Sequence, residues 1–217
     1  MTEKFLSNWD RANTEPFFTR MRERIHQGPP LKQRLSNSIY RLQIVLHRIQ
    51  NSTARLEQRD KEFFEKVTQT TITKDQDRAT MYANECAEVR KMAKIMLRSQ
   101  LAIEQVILRI ETVRDFGEVA AQMAPVVSIV HTIKNQLMGI MPEVSYELGT
   151  IGDTLNGMII EVGEATGGSY DMIASSEESQ RVLREAGTLA EQRMTEKFPD
   201  LPIGASTPAA EKSAIVR

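Results

Sequence analysis

The sequence predicts an all-α protein, a long antiparallel helical hairpin with shorter C-terminal helices. Three observations lead there. Aromatics make up 6% of the 217 residues, beside 11 Gly and 8 Pro, too few for the short strands and frequent turns of a sandwich or barrel. Apolar residues recur every seven positions along 31–67. No Pro or Gly interrupts Arg78 to Phe116. The 41% hydrophobic content supports a core in a chain of this length.

Residues 1–30 read as a separate amphipathic arm. Phe5, Leu6 and Trp9 fall within about one helical turn. Beyond Pro16 come Phe17, Phe18, Met21 and Ile25, with Arg20, Arg22 and Arg24 between them, and Gly28-Pro29-Pro30 stops any helix. Aromatics for an acyl boundary beside cations for anionic headgroups compose an interfacial segment. The same aromatics would also serve as a staple packed on the body, and the residues leave both readings open.

Residues 31–67 read as one helix. Leu35, Leu42, Ile49, Leu56 and Phe63 form one seam, and Ile39, Leu46, Thr53, Asp60 and Val67 the second. Arg34, Arg41, Arg48, Arg55 and Arg59 occupy the outer face. The Thr-rich stretch 68–77 is expected to be a polar loop. A second helix is expected over 78–124, seamed by Val89, Met96, Ile103 and Ile110 and by Met92, Ser99, Val106 and Val113. A short polar connection makes the two an antiparallel pair. Pro125 is expected to kink or break the helix at its position. Met138-Gly139-Ile140-Met141 ends that segment, and Pro142 suits a first helical position. Residues 142–162 are amphipathic but carry Gly149, Gly152 and Gly157, each costing about 1 kcal/mol against Ala, so this segment should detach easily. Gly167-Gly168-Ser169 reads as a flexible joint. A last charged helix is expected over 176–197, with Val182, Leu183, Ala186, Leu189, Ala190 and Met194 on one stripe.

The net charge of -1 conceals an asymmetry. Residues 16–48 hold seven Lys/Arg against Glu23 alone, and residues 140–200 hold four Lys/Arg against twelve Asp/Glu. A basic front suits an anionic surface, and an acidic back could fold onto that front when the surface is absent. Two independently solvated faces would give the same count.

Catalytic and metal chemistry find little support. The single Cys86 excludes a disulfide framework, and His26, His47 and His131 are scattered. No metal or cofactor is expected. There is no P-loop, dinucleotide fingerprint, zincin helix or nucleophile elbow. His131-Thr132-Ile133-Lys134-Asn135-Gln136-Leu137 resembles the phosphoacceptor box of sensor histidine kinases, but Thr132 stands where that family has an acid, and no ATP-binding boxes come after it. Glu85 and Glu88 flank Cys86 and would raise its pKa, which argues against a thiolate nucleophile. The expected protein is not an enzyme. Its basic face lacks interleaved stacking aromatics, so nucleic acid is not an expected partner. No apolar run reaches the roughly 18 residues of a span, and no secretory signal layout opens the chain, so the expected location is cytoplasmic.

Several stretches carry a family resemblance. They are Tyr82-Ala83-Asn84-Glu85, Arg90-Lys91-Met92-Ala93-Lys94 and the run from Ser99 to Thr112, then Ala124-Pro125-Val126-Val127 and Ile140-Met141-Pro142-Glu143-Val144. With the order of parts over most of the chain, they resemble the ESCRT-III superfamily, and within it the archaeal CdvB-like cell-division branch. The resemblance implies an arm at 1–30, an ESCRT-III-like core at 31–165, an acidic regulatory helix at 166–197 and a flexible tail at 198–217. It implies a subunit that polymerises with itself and with paralogues on anionic membrane, constricting and cutting membrane necks in archaeal division or vesicle release. It places the protein on the inner face of the cell membrane at the division site. Phe5, Leu6, Trp9, Phe17 and Phe18 would insert, and Arg20, Arg22, Arg24, Lys32, Arg34, Arg41 and Arg48 would meet headgroups. Phe198-Pro199-Asp200-Leu201-Pro202-Ile203 resembles a MIT-interacting motif, implying that Phe198, Pro199, Leu201, Pro202 and Ile203 dock on the MIT domain of a disassembling AAA ATPase, CdvC in archaea. The family's winged-helix segment has no counterpart in the fourteen residues after Ile203, which implies a short paralogue. The competing expectation is a soluble coiled-coil adaptor without membrane activity.

Overall fold

A computed structural model of the chain describes residues 30–116, 119–166 and 172–201. Within them lie five α-helices and no strand: α1 (Leu31–Ile72), α2 (Gln76–Phe116), α3 (Val119–Leu137), α4 (Pro142–Thr166) and α5 (Met172–Lys197). Helix α1 starts where Pro30 lends its carbonyl to the amides of Gln33 and Arg34, at 2.9 and 3.1 Å. At about 1.5 Å per residue it runs about 63 Å.

The connection between α1 and α2 is shorter than the Thr-rich stretch predicts. Helix α1 continues to Ile72, and only residues 73–75 separate it from α2. The threonines bond back to the helix. The hydroxyls of Thr68, Thr70, Thr71 and Thr73 donate to the carbonyls of Phe64, Lys66, Val67 and Gln69. Lys74 takes a left-handed backbone (φ 58°) that ends the helix. Asp75 caps the next, its Oδ1 accepting from the Arg78 amide at 3.2 Å.

Helix α2 is described as far as Phe116, the expected continuation at 117–118 lies outside the described residues, and Pro125 breaks nothing: α3 runs through it. Proline removes one helical hydrogen bond. Met123, Val126, Ile129, Val130, Ile133 and Leu137 are all fully buried around it, so packing outweighs that loss. Met141 then donates its amide to the Leu137 carbonyl at 2.7 Å, and Pro142 opens α4 as expected. Helices α3 and α4 pack on each other. The Ser145 hydroxyl donates to the Lys134 carbonyl at 2.9 Å across that contact. Helix α5 is already formed at Met172, four residues before the expected position, and Leu189 of its stripe is 44% exposed.

The described residues divide into two compact units. One takes in residues up to Arg48 and Leu101–Ala186; the other takes in Ile49–Gln100 and residues from Gly187. The first has a core of Leu35, Leu42, Ile103, Ile110 and the buried faces of α3 and α4. The second is the α1–α2 pair around its connection, with the end of α5, and its buried residues include Ile49, Val67, Ala83 and Val89. Two seam positions here are polar and still buried, Thr53 and Asp60.

Candidate functional site

The first candidate surface lies on α1. Arg34, Arg41 and Arg48 stand seven residues apart, so two helical turns bring each back to nearly the same face. Helix α4 supplies the acids that meet them. Arg34 Nη1 pairs with Glu161. Glu147 bridges two arginines, at 3.1 Å from Arg48 Nη1 and 3.9 Å from Arg41 Nε. Glu147 is the more enclosed acid, with a side chain 20% exposed against 63% for Glu161. Lys32 is exposed, and it contributes with Arg114 to the field around Asp115. The hydrogen bond from Arg114 holds the Asp115 carboxyl below its usual range. Earlier on α2, Arg109 reaches Glu178 of α5 at 2.8 Å. Three of the four arginine and lysine candidates on α1 thus carry acidic partners from within their own unit. Phe5, Leu6, Trp9, Phe17, Phe18, Arg20, Arg22 and Arg24 lie outside the described residues.

The glycines of α4 fit this arrangement. A Cβ on Gly149 would stand 3.3 Å from Lys134 Cε, and one on Gly152 would stand 3.4 Å from His131 Nε2. Both glycines are buried, so they seat α4 against the side chains of α3. Sequence reasoning takes all three glycines as points of weakness; only Gly157 is open, with nothing within 4 Å of its Cβ position. His131 is half-buried in this helix contact, in the setting of a packing residue.

The second candidate lies in the other unit. Asp60 of α1 is 2% exposed and takes both nitrogens of the Arg90 fork, Nε at 2.7 Å on Oδ1 and Nη2 at 3.1 Å on Oδ2. Cys86 donates its thiol to Asp60 Oδ1 at 3.1 Å. Burial, with Asp60 adding to it, pushes the thiol pKa up to about 12. The direction matches expectation but the cause does not: Glu85 and Glu88 are exposed, and Asp60 from across the helix pair acts instead. Burial alone would lower the Arg90 pKa; the Asp60 carboxylate outweighs it and the guanidinium is held charged.

The tail comes to this cluster. Phe198 is 6% exposed, its ring centroid 5.9 Å from the Arg90 guanidinium carbon. Its amide donates to the Met194 carbonyl at 2.9 Å, so the helix hands the chain directly to this position. Pro199 lines a cleft of about 130 Å³ with Asp60, Lys61, Phe64 and Glu65. Leu201 packs on Val67 and Ala83 beside Tyr82. Pro202 and Ile203 lie outside the described residues. Sequence reasoning places Asp60 on the seam but misses its pairing with Arg90. The signal is a charged residue on a mostly apolar seam, which calls for a buried partner across the pair.

Among the described residues, no helix is long and apolar enough to cross a membrane, and no group of three or more His, Cys, Asp or Glu could hold a metal ion. The chain is similar to Cell division protein B1 of Sulfolobus acidocaldarius, 45% identical over 178 residues that cover 82% of this chain and 83% of that protein. It is also similar to Cell division protein B of the same organism, 35% identical over 175 residues, covering 79% of this chain and 67% of the relative. No family model and no solved structure matches the chain.

Proposed function

The chain belongs to the cell division protein B (CdvB) family, and from that premise we propose that it is a structural, non-enzymatic subunit that assembles on anionic membrane during archaeal cell division. Self and paralogous copies are its partners in a filament that constricts or cuts a membrane neck at the division site. The arginine face of α1 meets headgroups, and the arm at 1–30 inserts its aromatics. The tail from Phe198 docks on the MIT domain of a AAA ATPase that takes the assembly apart.

The observation that carries the reading is the spacing of Arg34, Arg41 and Arg48 on one face, against weakly held acids. A surface ion pair contributes about 0–1 kcal/mol. A cation near an anionic bilayer gains about 1 kcal/mol. The two are of similar size, so a membrane can take these arginines from Glu147 and Glu161. Co-sedimentation with phosphatidylserine-containing and neutral vesicles tests it, with pellets viewed by negative-stain electron microscopy. The full chain is expected to pellet on anionic vesicles at low salt, as filaments or tubules, and to lose most of that binding when Arg34, Arg41 and Arg48 are all changed to Ala. Equal recovery in the supernatant with both vesicle types would reject the membrane role.

A further inference from the structure

We infer that, away from membrane, the N-terminal arm docks on α2 of its own chain, with residues 17–25 covering the outer face at the end of that helix. Leu108, Glu111, Thr112, Asp115 and Phe116 make up this face. They follow one another at helical spacing, which lines them up along one side of α2. Leu108 is 62% exposed and Phe116 81%, the highest value for a large apolar side chain among the described residues. The Thr112 hydroxyl donates to the Leu108 carbonyl at 2.9 Å and so needs no partner outside the helix. Two bare apolar side chains beside two carboxylates suit a basic, apolar segment, whereas an anionic bilayer would be repelled by the same carboxylates.

The arm, outside the described residues, has the complementary pattern in its sequence. Phe17, Arg20, Met21, Arg24 and Ile25 repeat the same spacing, with an arginine at each place where the α2 face has an acid. As a helix, 17–25 spans about 12 Å, the same length as 108–116. Where the arm joins the body follows from the connection of the pair. Only residues 73–75 separate α1 from α2, so the start of α1 returns beside the end of α2. Both ends belong to one unit, and the charge of Lys32 acts on Asp115. The arm therefore meets the body beside Phe116. Gly28-Pro29-Pro30 stops a helix there and lets the chain reverse. A reversed arm runs parallel to α2, which sets Ile25 level with Phe116, Arg24 with Asp115, Arg20 with Glu111 and Phe17 with Leu108. A tether this short gives an effective concentration of about millimolar, so a weak contact stays closed.

For membrane binding the consequence rests on the Proposed function, in which the arm inserts its aromatics. The same Phe17 cannot cover Leu108 and enter a bilayer, so insertion begins with release of the arm from α2. Arg20 and Arg24 would then exchange two carboxylates for lipid headgroups of the same charge. Insertion and packing on the body, which the sequence leaves open as alternatives, become two states of one segment. The docked state is a property of the chain in solution, and failure of the vesicle experiment would leave it untouched.

Trypsin cleavage after Arg20, Arg22 and Arg24 tests the docked state in dilute protein without vesicles. The full chain is expected to be cut there about tenfold more slowly than a free peptide of residues 14–29, because cleavage follows the population of the undocked arm. Leu108→Ser with Phe116→Ser should bring the rate to that of the peptide, with helical circular dichroism retained. Phe17→Ser with Ile25→Ser should do the same while leaving every described residue unaltered, which covers the case of a misfolded α2 variant. Equal cleavage of the full chain and the peptide overturns the inference, and so does protection that survives these substitutions. Protection that rises with chain concentration places the arm on a second copy and also overturns it.

Discussion

Cys86 shows how burial, with a neighbour across a helix pair, governs one group. Its thiol is fully buried and donates to a carboxylate already shared with Arg90. Burial disfavours the thiolate, which would also bring a second negative charge against Asp60, so the thiol pKa is pushed up from the ordinary 9.0 to about 12. Between those values the folded chain holds a proton that the unfolded chain releases. Folding stability therefore falls as pH rises from about 9 towards 12, and below 9 the thiol contributes no pH dependence. Cys86→Ala removes the titration. Denaturant midpoints measured from pH 8 to 11 should converge for the two chains as pH rises, the unsubstituted one losing stability faster above 9. Parallel curves would place the thiol in a more open setting. Asp60 was legible as an anomaly, since an acid at a seam position demands a partner. Its identity as Arg90, thirty residues on, depends on how closely the connection folds the pair back.

At the scale of elements, periodicity was the reliable signal and punctuation the unreliable one. The seams of α1 and α2 arise from apolar residues every seven positions, which only a packed helix pair can bury. The connection is shorter than its threonines suggest because threonine favours turns when its hydroxyl finds no helical carbonyl, and here four of them find one. Pro125 misled in the same way, since the loss of one hydrogen bond is local and the burial around it is not. The glycines of α4 separate by what stands opposite. Gly149 and Gly152 admit Lys134 and His131, whereas Gly157 faces open space and only costs helix propensity. Gly157→Ala should raise stability by about 1 kcal/mol in chemical denaturation, with the denaturant dependence unchanged. No gain would mean that some approach of backbone to α4 uses that opening.

At the scale of the whole molecule, the charge asymmetry of the sequence becomes a set of contacts. The basic front is α1 and the acidic back includes α4, and Glu147 and Glu161 hold Arg34, Arg41 and Arg48 within one unit. Sequence alone reveals the signs of the two halves but not which acids meet which arginines, because charge counts carry no register. On the proposed membrane role, these acids and lipid headgroups compete for the same three guanidinium groups. Glu147 is the stronger competitor: it bridges two arginines and is the less exposed acid. Changing Glu147 and Glu161 to Gln keeps the size and hydrogen-bonding reach of each side chain and removes its charge. Each pair is worth about 0–1 kcal/mol, so the double change should tighten binding to anionic vesicles several-fold, up to about tenfold. Glu147→Gln alone should supply most of the gain. Both effects should shrink in high salt, since exposed pairs and headgroup contacts are screened together. Vesicle titration by co-sedimentation at two salt concentrations measures all three. A gain that persists unchanged in high salt would point to loosened packing of α4 rather than to freed arginines, and no gain at low salt would remove the competition altogether.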